Sequence, residues 1–272
     1  MTALNTLLVV YDSTREEQPA LDRAANIAET ANASVHVFAC IYYEEAAKSA
    51  DQSGEIRHLI AGQQAVLEEA VAPLNARGVD VCTEVEWDRD WYHAVVRASL
   101  RHSADMVLKS SFRHSAGKRV LKKTSDWTVM RECQCPVLLV NPREPREPRR
   151  VLAAVDINAT QESYERLNEK IIQVSNHILE RSGSEVHFVN AFQDFKVLPD
   201  KERLVEDWGI DADRIHIKLG KPEKVIVERA RQLDVSLVVV GNSARSGLLA
   251  AIVGNTVEKV LDKLECDVLS IP

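Results

Sequence analysis

Short runs of apolar residues alternate along the chain with longer stretches in which apolar positions recur every three or four residues. In the first half, five apolar runs have the length of buried strands, and four helical patterns separate them. The runs lie at 6–12, 34–41, 79–87, 104–109 and 136–141, and the helical patterns at 17–30, 55–76, 90–102 and 118–131. Strands rich in Val, Leu and Ile that are joined by helices predict a (βα)₄β unit with a parallel sheet covered on both faces.

The second half of the chain repeats the first. Residues 102–140 align without a gap, at a constant offset, with the segment that ends at residue 271, and the strand before Asp12 matches the strand before Asp156. The segment between the halves, "NPREPREPRR", has three prolines and reads as an extended linker. We therefore predict two domains, 1–141 and 150–272, each an α/β unit of the doubly wound, Rossmann-like class.

The two halves differ in the connection between their second and third strands. The first half has the long helical pattern at 55–76, whereas the second half has only the segment 192–213. A helix of about ten residues covers less of a sheet than one of about twenty. The second domain is therefore expected to leave an apolar area that the other half, a partner, or a ligand such as an apolar or acyl-chain molecule covers.

A glycine-rich segment, "GNSARSGLLAAIVGNT" at 241–256, follows an apolar run and precedes an amphipathic one. Between a strand and a helix, such a loop can direct backbone N–H groups at a phosphate. The same residues allow a purely structural interpretation, in which Asn255 caps a helix and Glu258 completes a capping box. The glycines can equally serve turn geometry alone, so this pattern leaves both interpretations open.

Composition narrows the function classes. The net charge of −7, with 45% hydrophobic and 28% charged residues, is typical of a globular domain and argues against direct binding of nucleic acid. The N-terminal segment has no basic region and only a short apolar stretch, so neither a signal peptide nor a membrane partner is expected. The odd number of cysteines, five, fits a reducing compartment. We expect a cytoplasmic protein.

The strand that ends in Val-x-Asp, the repeat of domain length and the segment that begins at Gly241 resemble the universal stress protein family, whose nucleotide-binding members carry G-x₂-G-x₉-G-[S/T]. The resemblance covers nearly the whole chain and indicates the tandem-domain type. It implies an adenine nucleotide alpha hydrolase-like fold with five parallel strands in each half, in the order 3-2-1-4-5. It also implies a non-enzymatic role in stress responses, including resistance to DNA damage. Fifth strands commonly mediate association in the family, which here suggests a pseudo-dimer of the two halves, and a homodimer is a further expectation.

The resemblance also implies where a ligand would bind. The positions carried over for adenosine are Asp156, either Asn190 or Ala191, and Gly241, and those for phosphate are Ala244, Gly254, Asn255 and Thr256. Two of them depart from the family pattern, because Ala244 replaces a glycine and Asn255 replaces a hydroxyl residue. A β-carbon where positive φ is needed costs about 1 kcal/mol or more. ATP or AMP is therefore the candidate ligand of an impaired site in the second domain, and no cofactor is required.

The first domain has lost the glycines of this pattern, with Ser110 at the position of Gly241 and Lys123 at that of Gly254. We predict no nucleotide there. The competing interpretation is an ATP/AMP-binding second domain with weak nucleotide hydrolase activity, for which Asp156 is the one well-placed acid or base. A third interpretation is that the protein binds no ligand and serves as a docking platform for other proteins. The sequence shows no catalytic motif and no clustered metal ligands, so catalytic and metal residues are predicted to be absent.

Overall fold

The computed structural model describes residues 4–112, 119–143, 149–196, 198–242, 260–261 and 263–272. The chain divides between Pro142 and Arg143 into two compact units, which we call the first and the second domain. Each is described by itself.

The first domain is a parallel sheet with helices in the crossovers. Its elements are β1 (Thr6–Val10), α1 (Pro19–Ala31), β2 (Ser34–Ile41), α2 (Glu44–Ala47), α3 (Gln52–Ala76), β3 (Val81–Trp87), α4 (Trp91–Arg101), β4 (Met106–Ser110), α5 (Arg119–Glu132) and β5 (Val137–Val140). The strand order is β3-β2-β1-β4-β5, with every neighbouring pair parallel. Strands β2 and β3 are therefore added on one side of β1, and strands β4 and β5 on the other side.

The second domain has the same plan. Its elements are β6 (Arg150–Ala154), α6 (Glu162–Ser182), β7 (Glu185–Phe192), α7 (Lys201–Trp208), a 3₁₀ turn (Ala212–Arg214), β8 (Ile215–Leu219), α8 (Pro222–Gln232), β9 (Leu237–Gly241) and β10 (Asp267–Ile271). The order is β8-β7-β6-β9-β10, again parallel throughout. Counted from its own first strand, each domain reads 3-2-1-4-5. The α/β fold class expected from the pattern is confirmed.

The strands form because their β-branched and leucine side chains are covered on both faces of the sheet. Leu7, Leu8 and Val9 of β1 are inaccessible to solvent, as are Val238 and Val239 of β9. Central strands of parallel sheets read as continuous apolar runs for this reason. The runs seen in the sequence therefore mark the middle of each sheet, with the helices packed above and below.

Helix α6 packs one face on the second sheet and turns the other to solvent. Ile171, Ile172, Val174 and Ser175 are its buried residues, and it ends at Gly183 in the left-handed conformation, with φ of 63°. A glycine adopts that conformation without the cost of a β-carbon. The helix therefore stops where β7 must begin.

The second crossover is much shorter in the second domain. Helix α7 has 8 residues, where α3 of the first domain has 25. The Asp200 carboxylate accepts the N–H of Glu202 at its start, and Gly209 ends it with φ of 64°. Residues at its two ends thus fix where α7 starts and stops. Because α7 is shorter than α3, it covers less of its sheet than α3 does in the first domain.

Two histidines pair on the neighbouring strands β7 and β8. His187 Nδ1 and His216 Nε2 lie 3.1 Å apart, and the rings stack with centroids 5.2 Å apart. Burial, Arg229 and the neighbouring His187 lower the pKa of His216 to about 4, with Lys218 and Lys201 acting in the same direction. Burial also lowers the pKa of His187, against the opposing effect of Glu185. Both rings are therefore neutral at pH 7.

This pair predicts a loss of stability in acid. A histidine whose pKa is lower in the folded state takes up protons preferentially in the unfolded state. The contribution of His216 is therefore complete above pH 6.5 and declines as the pH falls towards 4. Allowing for partial exposure, we expect a loss on the order of 1 kcal/mol at pH 5.

The measurement is thermal unfolding of the wild type and His216→Gln at pH 7 and pH 5. The variant cannot titrate at this position, so its melting temperature is expected to fall less between the two pH values. His58→Gln, on the exposed surface of α3, is the matched control and is expected to behave as the wild type. An equal fall in wild type and His216→Gln would contradict the assignment.

Candidate functional site

The candidate site lies at the carboxyl ends of β6 and β9 in the second domain. These strands are neighbours in the sheet, and the connections that leave them run in opposite directions. In open parallel sheets, ligands bind at such a point because the loops diverge and leave a crevice. Asp156 follows β6 and Gly241 ends β9, so the structure brings both predicted residues to this edge.

Asp156 is held in place by the first helix of the domain. Its backbone N–H donates to Asn168 Oδ1 at 3.0 Å, and Asn168 Nδ2 donates to its backbone oxygen at 2.6 Å. The Asp156 carboxylate accepts the N–H of Asn158 at 3.2 Å. Although the residue is exposed, the surrounding protein desolvates this carboxylate and raises its pKa, while the Asn158 hydrogen bond acts in the opposite direction. The Asn168 amide therefore holds the backbone of Asp156 in place through two hydrogen bonds, neither of which involves the Asp156 carboxylate.

Asn190 is a buried polar residue in the last part of β7. It is 2% exposed, and its Nδ2 donates to the backbone oxygen of Val155 at 3.1 Å. Its Oδ1 has no hydrogen-bond partner in the part of the chain that the structure describes. A buried acceptor without a donor costs about 1–3 kcal/mol. Ala191, the next residue, is half-buried, and only Asn190 offers a side-chain polar atom.

Gly241 has a packing role that the sequence interpretation missed. A β-carbon built on it would lie 2.6 Å from Leu167 Cδ2 and 3.1 Å from Ile171 Cδ1 of α6. The first of these distances is shorter than real β-carbons show, so with a side chain at this position Leu167 would have to shift. The absence of a β-carbon at this position is thus required by the contact between α6 and β9, independently of any phosphate.

The four phosphate positions carried over from the resemblance, Ala244, Gly254, Asn255 and Thr256, lie outside the described residues. The structure therefore places half of the expected site. Asp156, Asn190, Ala191 and Gly241 all lie near the carboxyl edge of the sheet.

A cavity of about 150 Å³ opens beside Asp156, between α6 and α7. It is lined by Val155, Ile157, Ala159, Glu165, Asn168, Glu169, Ile172, Leu204 and Trp208. The apolar residues among these are buried, apart from the half-buried Trp208, whereas Glu169 is exposed. Buried apolar side chains and half-buried or exposed polar ones therefore share the lining of the cavity, and the short α7 forms one of its walls.

The sequence predicted an uncovered apolar area here but not the residues around it. Leu204 and Trp208 were visible only as part of a short helical pattern, and Asn168 as a polar position on α6. The signal that pointed to the cavity was the difference in crossover length. Which side chains line it depends on how α7 packs, and this is a property of the tertiary structure.

At the corresponding edge of the first domain, the side chains at the end of β4 contact other residues of the domain. Ser110 Oγ accepts the N–H of Ala20, in the first turn of α1, at 3.1 Å. Lys109 Nζ lies 2.9 Å from Asp126 Oδ1 and 5.3 Å from the ring centroid of Trp91. The polar groups at the end of β4 thus bond within the domain, and the absence of a nucleotide from this domain stays a prediction.

Comparison with known proteins decides the family. The universal stress protein family model matches residues 4–141 and 147–272, one match for each domain. The chain belongs to the universal stress protein family. It carries two Usp domains in tandem, as its internal repeat predicts.

Individual relatives support this assignment over the full length. Universal stress protein E of Escherichia coli K12 is 30% identical over 300 residues, which cover 100% of this chain and 95% of the relative. A solved structure from Pseudomonas aeruginosa PAO1 has a TM-score of 0.79 at 26% identity and covers 99% of this chain and 92% of that one. One from Archaeoglobus fulgidus, at 19% identity and a TM-score of 0.76, covers 98% and 96% and shows the fold alone. This universal stress protein therefore resembles universal stress protein E.

Two further observations concern metals and membranes. In the described ranges, no three or more His, Cys, Asp or Glu side chains are grouped so as to hold a metal ion. None of the helices that the structure describes combines the length and the apolar character that crossing a membrane requires.

The packing at Gly241 gives a direct test. Gly241→Ala is expected to lower the free energy of unfolding by about 1–3 kcal/mol, because the added methyl group overpacks the contact with Leu167. Chemical denaturation followed by circular dichroism measures this change.

Gly62→Ala is the matched control. Gly62 lies on the exposed side of α3 with open space around it, so the same substitution there is expected to stabilise the helix by about 0.5–1 kcal/mol. If Gly241→Ala unfolded at the same denaturant concentration as the wild type, the close contact between α6 and β9 would be refuted.

Proposed function

We propose that this universal stress protein is a non-enzymatic stress-response protein whose second domain senses a small ligand. The ligand binds in the cavity between α6 and α7, beside Asp156. We further propose that the protein contributes to resistance against stresses that include DNA damage, as the resemblance to the family implies. The cytoplasmic location and the homodimer stay predictions.

The cavity is the observation that carries the proposal. Its volume of about 150 Å³ has room for a body of about six carbon atoms, with the polar Glu165, Asn168 and Glu169 along part of the lining. An occupant would contact Ile172 on α6 and Leu204 on α7 at once. Binding would therefore stabilise α7 in its packed position. Since α7 lies at the surface of the domain, a change in its order would change the surface that a partner protein meets.

Nucleotide binding is the competing proposal. The position of Asp156 and Gly241 at the carboxyl ends of β6 and β9 supports it, yet the nearby cavity is lined by Glu165 and Glu169 and by no cationic residue that the structure describes. Close carboxylates oppose an anionic phosphate. A second function, hydrolysis, would further require Asp156 to act as acid or base.

The cavity proposal is tested with hexan-1-ol, an uncharged probe of the right size. We expect the alcohol to raise the melting temperature of the wild type and to bind measurably by calorimetry. Ala159→Leu adds carbon atoms to the wall of the cavity and is expected to abolish both effects. Ala212→Leu makes the same change at an exposed position and serves as the control. Binding that survives Ala159→Leu would place the probe elsewhere.

The nucleotide alternative is tested on the same protein. Native mass spectrometry after purification without added ligand, and melting with ATP, should show no nucleotide and no shift. A clear shift with ATP would favour the alternative. Hydrolysis that is present in the wild type and lost in Asp156→Ala would in addition overturn the non-enzymatic assignment.

A further inference from the structure

A second cavity, of about 310 Å³, lies along α8, and we call it the α8 groove. Three of its lining side chains are cationic: Lys224 and Arg231 on α8, and Lys263 in the turn before β10. The remaining lining residues are Val227, Glu228 and Gln232. In a chain with a net charge of −7, this groove therefore has three cations and a single carboxylate.

The cations of the α8 groove have no acidic partner within the part of the chain that the structure describes. Neither Lys224 nor Lys263 forms a side-chain hydrogen bond or an ion pair there, and the Arg231 guanidinium donates to the backbone oxygen of Lys263 at 3.4 Å. The carboxylate of the groove, Glu228, accepts a hydrogen bond from Gln232 Nε2 at 3.1 Å. An anion that enters the groove therefore meets cations that no neighbouring carboxylate neutralises.

The first domain has an ion pair at the corresponding place. Helices α4 and α8 have 11 residues each and follow the third strand of their domains, so His93 corresponds to Lys224 and Glu132 to Lys263. His93 Nε2 and Glu132 Oε2 lie 3.4 Å apart. In the second domain both positions are lysines, whose ammonium groups only donate hydrogen bonds and cannot pair with each other. The α8 groove thus has a cation where the first domain supplies a carboxylate.

We propose that the α8 groove binds an acidic segment of a partner protein. One carboxylate of this segment lies between Lys224 and Lys263, in the place that Glu132 fills in the first domain, and a second pairs with Arg231. The proposal goes beyond the proposed function, because no residue of the α8 groove lines the cavity between α6 and α7.

The positions of the cations determine the spacing of the acidic residues that fit. Lys224 and Arg231 are separated by two turns of α8, which is about 10 Å along the helix axis. A single small anion cannot contact both, whereas carboxylates three residues apart on an extended segment span about that distance.

The middle of the groove favours an uncharged residue of the partner. Val227 lies there, and the aliphatic parts of the lysine side chains add apolar surface on either side. Glu228 repels a third carboxylate at this point. The segment that fits therefore has acidic residues three positions apart, with an apolar residue between them.

Binding of two synthetic peptides to the full chain tests the proposal, with fluorescence anisotropy as the measurement. The acidic peptide consists of four repeats of Glu-Leu-Ser, and the neutral peptide of four repeats of Gln-Leu-Ser. We expect the acidic peptide to bind about tenfold more tightly. Its affinity should fall several-fold between ionic strengths of about 0.05 M and about 0.3 M, because salt screens exposed ion pairs.

Three variants locate the binding site. Lys224→Glu is expected to weaken binding of the acidic peptide about tenfold, since it replaces attraction by repulsion. Arg57→Glu, at an exposed position of α3, makes the same change in net charge and is the matched control, expected to bind as the wild type. Glu228→Gln removes the carboxylate of the groove and keeps an oxygen acceptor for Gln232, so it should strengthen binding several-fold.

Equal affinity for the two peptides would overturn the proposal, as would a Lys224→Glu variant that binds the acidic peptide like Arg57→Glu. Two further results would identify another occupant and overturn it as well. One is displacement of the bound peptide by inorganic tripolyphosphate at a lower concentration than by unlabelled peptide. The other is a wild-type dimer in sedimentation that Lys224→Glu dissociates, because the occupant is then a second copy of the chain.

The test is separate from that of the proposed function. Hexan-1-ol should bind to Lys224→Glu as it binds to the wild type, since the two cavities share no lining residue. Loss of peptide binding with unchanged hexan-1-ol binding therefore supports the α8 groove in a folded protein. A failure of hexan-1-ol to bind to the wild type affects the proposed function alone.

Discussion

The close packing of α6 on β9 is the contact on which the site in the second domain depends. The side chains of Leu167 and Ile171 occupy the space where a β-carbon on Gly241 would lie, so α6 packs directly against the end of β9. That approach brings Asn168, on the same turn, to the backbone of Asp156, and turns Ile172 towards the cavity. The absence of a β-carbon at Gly241 thus lets α6 place Asn168 beside the backbone of Asp156 and Ile172 in the wall of the cavity.

The two domains show how a duplicated fold diverges without changing its sheet. Both keep the same strand order and fully parallel pairing, because the buried apolar strands leave little freedom. They differ where strands end and loops begin. Ser110 turns the end of β4 into a hydrogen-bond partner of α1, whereas Gly241 leaves the end of β9 to the side chains of α6. Change has accumulated at the edge that positions ligands in this class of fold.

The sequence predicted the regular elements well because their signals are local. Runs of Val and Leu marked the strands, and the helical pattern at 55–76 marked α3. Helix α2, four residues long, is too short to show a period, and it was missed. For the site, Asp156 and Gly241 followed from motif and repeat, whereas the packing role of Gly241 and the lining by Leu204 depend on contacts between distant segments. No local pattern records such contacts.

The shortness of α7 couples the cavity to the dynamics of the domain. A helix of two turns gains little from its own hydrogen bonds, and its order in the folded protein comes from what it packs against. Leu204 supplies that anchor from one side, and any occupant of the cavity supplies more of it. Local opening of α7 therefore costs less than unfolding the sheet. Under the proposed function, α7 is therefore the part of the domain that a ligand would order while the sheet stays unchanged.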